Sequence, residues 1–510
     1  MTESPETGNA DGEGAVTLQE QSPPSQPDPR RWWQLGLIGL SQLTILLDGT
    51  VVNIALPSAQ ADLGMTDANR QWVITAYALA FGGLLLLGGR LADMLGRKRT
   101  FLIGMAGFGV ASALAGMAAS PGMLFAGRAL QGAFAALLAP AAMALLTTTF
   151  PDPKERSKAF GIFGAISGAG SAVGLIVGGL LTEYLDWRWC MYICVPIAVV
   201  VVVGGLTILR DTDTRAGGRL DVLGVLLGTG GLVSLVFGFS EAEPRGWDDS
   251  LVLGTLIGGV LLLFLFVVWQ NRARHPLMPL RVLRSRRRAG SFLVAGFAPV
   301  AMFALYLFMT YYLQIVLDFS AVQTGLAFLP LTVSMILSST QIAARLLTRV
   351  EPRVIVAPGL LVAAAGMLLL TRVGVDSAYV SEVLPALVLV GMGLGGTMMT
   401  AMATATSGVA TEDQGVTSAM VNASMQMGGA IGTAVLNTVA ATATASYLQG
   451  HLASGTSEAR RALIRSQGAV HGFSVALWCV VGLLVLTATL AALMLKGGTA
   501  REPKGHTAAA

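Results

Sequence analysis

Runs of about twenty mostly apolar residues recur along nearly the whole chain, and that is the length an α-helix needs to cross a bilayer. A spanning helix satisfies its backbone hydrogen bonds internally, so the runs read as membrane spans. Composition agrees: 54% hydrophobic and 12% charged residues over 510 positions leave too little charge to cover a soluble surface. The chain is predicted to be an all-α polytopic membrane protein.

The runs place spans at roughly 34–57, 71–90, 100–119, 122–148, 159–181, 190–209 and 221–240. A second set lies at roughly 250–270, 291–314, 323–346, 354–371, 382–408, 415–438 and 471–495. An even number of spans, fourteen, puts both termini on one side. Arg30, Arg31, Arg97, Lys98, Arg99, Arg286, Arg287 and Arg288 fall on that side, whereas the opposite loops hold only Arg70, Arg188, Arg245 and Arg372, with Arg460, Arg461 and Arg465 in a long hydrophilic loop before the last span, where charge bias counts least. The positive-inside rule then predicts a multi-pass plasma-membrane protein with both termini cytoplasmic. The basic cluster at 281–288 reads as topology and contact with anionic headgroups, not nucleic-acid binding.

Residues 1–33, polar and rich in Pro, Ser and Glu towards their start, are predicted to form a disordered cytoplasmic tail. A faint repeat relates the segment Gly89 to Arg97, after the second span, to Ala344 to Pro352, after the tenth. It suggests two six-helix halves, 34–209 and 291–495. Two inserted helices with a basic linker (210–290) would separate them, and 496–510 would form a cytoplasmic C-terminal tail. Cys190 and Cys194 sit in an apolar run without nearby His and read as buried small hydrophobes. His275, His451, His471 and His506 are scattered in sequence, so neither a metal site nor a membrane-embedded enzyme centre is expected. No Gly-Lys-Ser/Thr follows any glycine-rich run, which disfavours an ATP-driven pump. No soluble segment is long enough for a sensor domain.

Asp48 and Arg128 are the clearest charges inside spans, where one charge costs about 2.5–3.5 kcal/mol at the helix centre. Asp48 is roughly 13 Å below the outer end of the first span and Arg128 roughly 9 Å below that of the fourth, at 1.5 Å per residue. The depths allow a pair. Such a pair could be a structural tie between helices, or Asp48 could bind and release a proton beside Arg128. Thr44 shares the Asp48 face at i−4, whereas Asn53 lies roughly 140° round the helix.

With these residues in view the chain resembles the major facilitator superfamily, and within it the fourteen-span drug:proton antiporters, over about residues 34–495. The resemblance is carried by Leu47-Asp48-Gly49-Thr50-Val51-Val52-Asn53-Ile54-Ala55-Leu56-Pro57, by Trp72-Val73-Ile74-Thr75-Ala76-Tyr77 and by Gly89-Arg90-Leu91-Ala92-Asp93 with Gly96-Arg97-Lys98-Arg99. Arg128-Ala129-Leu130-Gln131-Gly132, Trp187-Arg188-Trp189, Leu220-Asp221-Val222-Leu223-Gly224, Tyr311-Tyr312-Leu313-Gln314 and the segment Gly415 to Gly432 fit the same group. Gly161, Gly170, Gly174, Gly178 and Gly179 keep the glycine spacings of the family's antiporter helix, although Leu175 stands where Pro is usual; in the segment from Trp187 to Pro196, Cys194 stands where the family usually has Asn.

The resemblance implies two rocking six-helix halves with two additional central helices, and proton coupling through Asp48 and Arg128. Gly89, Asp93, Gly96 and Arg97 would act as a conformational latch. Thr44, Asn53, Gln131, Tyr311, Asn422 and Gln426 are candidates for the substrate cavity. The implied partners are a small drug-like substrate, protons and the lipid bilayer, with no cofactor and a monomeric state. Met392, Met398, Met399, Met402, Met420, Met425 and Met427 suit either an adaptable pocket or ordinary packing. A proton-coupled importer of the same fold is the alternative, because the missing Pro at 175 removes one mark of antiport.

Overall fold

The computed structural model describes residues 29–66, 69–150, 152–209, 221–273, 276–277, 285–347, 349–407, 414–451 and 458–496. They form fourteen successive helical spans. The first six are α1 (Arg31–Leu63), α2 (Trp72–Leu95), α3 (Arg97–Gly116), α4 (Pro121–Thr149), α5 (Pro153–Tyr184) and α6 (Trp189–Ile208). An additional pair follows, α7 (Val222–Arg245) and α8 (Ser250–Arg272). The last six are α9 (Arg286–Val316), α10 (Ala321–Leu346), α11 (Pro352–Leu370), α12 (Tyr379–Thr406), α13 (Gln414–His451) and α14 (Glu458–Met494).

Helix starts follow local chemistry. Ser120 caps α4 by accepting from Met123 N at 3.4 Å, with Pro121 in the first turn, and Ser320 and Gln323 form a reciprocal capping box on α10. Gly96, at φ 95°, makes the turn between α2 and α3, a backbone shape that side chains resist.

Pairing within the two six-helix sets is the same. In the first set α1 packs on α5 and α6, α2 on α4, and α3 on α4 and α6. In the last set α9 packs on α13 and α14, α10 on α12, and α11 on α12 and α14. Two seams join the sets, α2 against α13 and α5 against α10. The α7–α8 pair lies only at the first seam, where α7 touches both α2 and α13. Thr229 on α7 donates to Gly83 O at 3.2 Å, and Thr438 on α13 donates to Phe239 O at 2.8 Å. Asp221 closes the base of this hairpin by accepting from Gly224 N (2.8 Å), Trp269 Nε1 (2.7 Å) and Gln270 Nε2 (2.7 Å).

Burial separates core from lipid-facing helices. The apolar window of α9 is 72% buried and that of α8 only 11%, with Ile257, Val260 and Phe264 turned outward. An exposed apolar face costs nothing in hydrocarbon, where lipid replaces a protein partner.

Several boundaries differ from the sequence reading. The helix α1 runs through Pro57 to Leu63, and it begins at Arg31, inside the segment predicted to be a disordered tail. Proline removes one helical hydrogen bond, and packing on α5 carries the helix past it. The stretch 439–470, expected as a long hydrophilic loop, is mostly helix, because α13 continues to His451 and α14 begins at Glu458. Residues 1–28 lie outside the described residues.

Candidate functional site

Asp48 on α1 and Arg128 on α4 meet in the interior of the first six-helix set, with Arg128 Nη1 2.6 Å from Asp48 Oδ2. Their side chains are 0% and 2% exposed, so solvent does not screen the pair. Arg128 also donates from Nε to Val73 O at 2.9 Å and from Nη1 to Gln131 Oε1 at 2.8 Å. Its guanidinium lies 4.5 Å from the centre of the Tyr77 ring. Gln131 Nε2 in turn donates to Asp48 Oδ1 at 3.0 Å and to Ser112 Oγ at 2.8 Å, and Ser112 donates to Phe108 O at 2.8 Å. A charge pair is tolerated in such a place only when its remaining hydrogen-bonding capacity is met. Here α1, α2, α3 and α4 all contribute to meeting it.

Thr44 and Asn53 flank Asp48 on α1 without joining this network. The Thr44 hydroxyl donates to Leu40 O at 2.8 Å, and the Asn53 amide donates to Gly49 O at 2.6 Å. Both side chains are buried, as is Gln131, so in this state the three face protein and not open space. Asn422 on α13 is exposed, and Gln426, half-buried one turn further on, passes close to Gly82 of α2.

The glycines of α5 set how near that helix comes to α1. A Cβ added at Gly174 would strike Thr50 Oγ1, and one at Gly178 would lie 3.0 Å from Val51 Cα. Gly170 faces Leu43 of the same helix, whereas Gly179 faces Ala321 and Val322 of α10, across the seam. The surroundings of Gly161 lie outside the described residues. Leu175 is buried with its carbonyl against Gly325, and without proline there α5 runs unbroken.

At the latch, Gly96 supplies the turn and Arg97 opens α3, while the side chain of Asp93 lies outside the described residues. Gly89 has room, with Pro140 Cβ no nearer than 3.9 Å to an added Cβ. The tight contact is one residue earlier, where Gly88 abuts the Ala136 carbonyl. Lys98 Nζ donates to Leu209 O at 2.5 Å and meets the free carbonyls ending α6, where a cation also suits the helix dipole.

A second cluster closes the face opposite the chain ends. The Tyr311 hydroxyl on α9 bonds the Gln60 side chain of α1, and the Arg70 guanidinium stacks 3.8 Å from the Tyr311 ring centre. Gln314 Nε2 donates to Ile54 O at 3.1 Å, and Val322 N donates to Glu183 Oε2 at 2.9 Å. Tyr311 therefore seals the two sets together and lines no open cavity here. Tyr311→Ala removes a hydrogen bond and a cation–π contact, about 1–2 kcal/mol together. A cysteine placed at buried Thr310 is expected to react roughly tenfold faster with an impermeant thiol reagent in that variant. Unchanged labelling would show that Tyr311 does not hold this face shut.

His451 and His471, scattered in the sequence, come together at Tyr447, with ring centres 4.0 and 5.2 Å from its own. The reason is that α13 and α14 pack as neighbours. A cavity of about 620 Å³ opens beside them among Arg372, Asp376, Glu382, Tyr447 and His471, and it shares no residue with the Asp48 network. Among the described residues no group of His, Cys, Asp and Glu is arranged to hold a metal.

The sequence reading did not single out Ser112, the Val73 carbonyl, Gln60 or Arg70 for the site. Ser112 and Gln60 are polar residues inside predicted or extended helices, a signal available in principle. The role of Arg70 depends on the contact between the two sets, which no local pattern encodes.

The profile of the Major Facilitator Superfamily matches residues 38–433. Over 475 residues the chain is 54% identical to the puromycin resistance protein pur8 of Streptomyces alboniger, covering 93% of each chain. It is 40% identical to the cephamycin export protein CmcT of Amycolatopsis lactamdurans, over 78% of this chain and 83% of that one. Among solved structures, that of an auto-inhibited POT family peptide transporter superposes with a TM-score of 0.64 at 17% identity, covering 91% of this chain and 96% of that one. With the repeated six-helix pairing and a match over most of its length, the chain belongs to the Major Facilitator Superfamily, and it is a multi-pass membrane transporter rather than an enzyme.

Proposed function

We propose that the protein exports small amphipathic antibiotic-like compounds from the cell in exchange for protons, with Asp48 as the proton-binding group. The observation that carries this reading is a carboxylate and a guanidinium held 2.6 Å apart, both out of contact with solvent, in a helix set that must move during transport. The names of the relatives, a puromycin resistance protein and a cephamycin export protein, support antibiotics as the substrate class.

In this reading both termini are cytoplasmic, which the distribution of Arg and Lys supports. The closed cluster at Tyr311 then faces outward, and the described state is closed to the outside. The halves 34–209 and 291–495 move as units about a central cavity, with Asn422 and Gln426 on its wall, and one chain carries the whole machinery. Protons moving inward supply about 2.3 kcal/mol per charge per 100 mV, enough for roughly a fortyfold gradient.

Expression in an efflux-deficient bacterium, followed by a screen of toxic compounds, tests the proposal. The wild type is expected to raise resistance to at least one antibiotic, and Asp48→Asn is expected to remove that resistance while remaining in the membrane. In acid-inside inverted vesicles, adding the drug is expected to collapse the pH gradient with wild type only. Undiminished resistance with Asp48→Asn would take the proton-binding role away from Asp48. A gradient untouched by drug would favour import over antiport.

A further inference from the structure

Resting on the coupling reading of Asp48, we infer that Ser112 is a positioning residue that sets the polarity of the Asp48–Gln131 hydrogen bond and so ties the proton on α1 to a rearrangement of α3 and α4. The hydrogen bonds run in one direction. Ser112 has a single hydroxyl hydrogen, and it is given to Phe108 O at 2.8 Å. Its oxygen therefore accepts from Gln131, so the NH₂ edge of that amide faces Ser112 and Asp48 together. The amide oxygen is left facing Arg128 Nη1, the one neighbour that can only donate. In this arrangement Asp48 Oδ1 has to be a bare acceptor.

A proton arriving on Oδ1 from water would set an O–H against the Gln131 N–H. The conflict is relieved when the amide turns over, so that Oε1 accepts from the new carboxyl hydrogen. Ser112 must then leave Phe108 O and donate to Oε1, and Arg128 Nη1 must leave Gln131. The Phe108 carbonyl is not orphaned, since it sits inside α3 and keeps its helical bond. When the proton departs to water on the other face, the same steps run backwards. One hydroxyl rotor thus links the charge on Asp48 to the position of Arg128.

Among the described residues, the other charged or titratable groups facing Asp48 are Arg128 from α4, Tyr77 from α2, and Cys190 and Cys194 from α6. Of these, the Cys194 sulfur also lies within hydrogen-bonding reach of the Ser112 hydroxyl. From α5, Gly170, Gly174 and Gly178 lie against this stretch of α1, and buried Leu175 joins the same apolar cluster. Ser112 itself is 0% exposed and does not titrate.

The test is the pH profile of drug export into inverted vesicles at equal amounts of protein. Ser112→Ala frees the Gln131 amide to present its oxygen, so the protonated form is reached more easily. Half-maximal export is expected to move to higher pH by roughly half a unit to one unit, the size of one hydrogen bond, with the maximal rate lowered less than about tenfold. Ser112→Thr keeps the hydroxyl and is expected to restore the wild-type profile. Should the alanine variant fail to reach the membrane, Ser112→Cys, with its weaker donor, is expected to give a smaller shift in the same direction. An unmoved profile in Ser112→Ala or Ser112→Cys, or an equal shift in Ser112→Thr, overturns the inference. If Asp48→Asn is meanwhile inactive, the coupling reading survives that failure. If Asp48→Asn exports at full rate, the coupling reading itself falls.

Discussion

Arg128→Met is expected to abolish export and to lower the thermal stability of the detergent-solubilised protein more than any other single change in the site. The guanidinium serves Asp48, Gln131 and Val73 O at once and lies over the Tyr77 ring, and methionine replaces none of those bonds. Removing one partner of a buried pair leaves the other charge uncompensated, at a cost of about 3–5 kcal/mol. Arg128→Lys keeps the charge but not the fork, since one ammonium cannot reach the Val73 carbonyl as Nε does while holding both Asp48 and Gln131. It too is expected to lose most export, with a smaller loss of stability.

The double variant Asp48→Asn/Arg128→Met separates structure from coupling. With both charges gone, its stability is expected to exceed that of Arg128→Met alone, because the two sites interact. Export is expected to stay absent. A double variant that exports would reduce the pair to a structural tie between α1 and α4.

Gly178→Leu is the second large effect. A Cβ there already lies 3.0 Å from Val51 Cα and 3.3 Å from Val51 O, which are backbone atoms and cannot rotate aside. Leucine must push α5 off α1 along the stretch that carries Asp48. Overpacking of this kind costs about 1–3 kcal/mol, and here it also moves the helix bearing the proton site. Loss of export with reduced protein in the membrane is the expected outcome. Gly254→Leu on α8 is the control, since an added Cβ there meets nothing within 4 Å, and export should persist. Equal behaviour of the two variants would mean that close approach of α5 and α1 is not required.

All fourteen spans were legible in the sequence because the length of an apolar run is set by bilayer thickness, a constraint independent of tertiary contacts. Asp48 and Arg128 were legible for a related reason, since charge within such a run is costly enough to stand out. Ser112 was not, because a hydroxyl in a helix can bond its own backbone, and only the third dimension shows Gln131 on its other side. Gly88 was missed beside Gly89 because neighbouring glycines look alike until one of them meets the Ala136 carbonyl. The ends of α13 and α14 were hidden by polar residues that extend a helix beyond the hydrocarbon as readily as they form a loop. The position of the α7–α8 pair was equally invisible, since an apolar helix surface suits lipid and protein alike.

That position makes the molecule lopsided. A pseudo-symmetric pair of six-helix sets has two flanks, and the hairpin screens the one at α2 and α13, while among the described residues no further helix packs over α5 and α10. A greasy compound dissolved in the membrane would therefore meet two unlike flanks, and side entry at α2 and α13 would have to pass the hairpin. Any sideways loading of cargo from the bilayer would be one-sided, and tethering α5 to α10 would block it where tethering α7 to α2 would not.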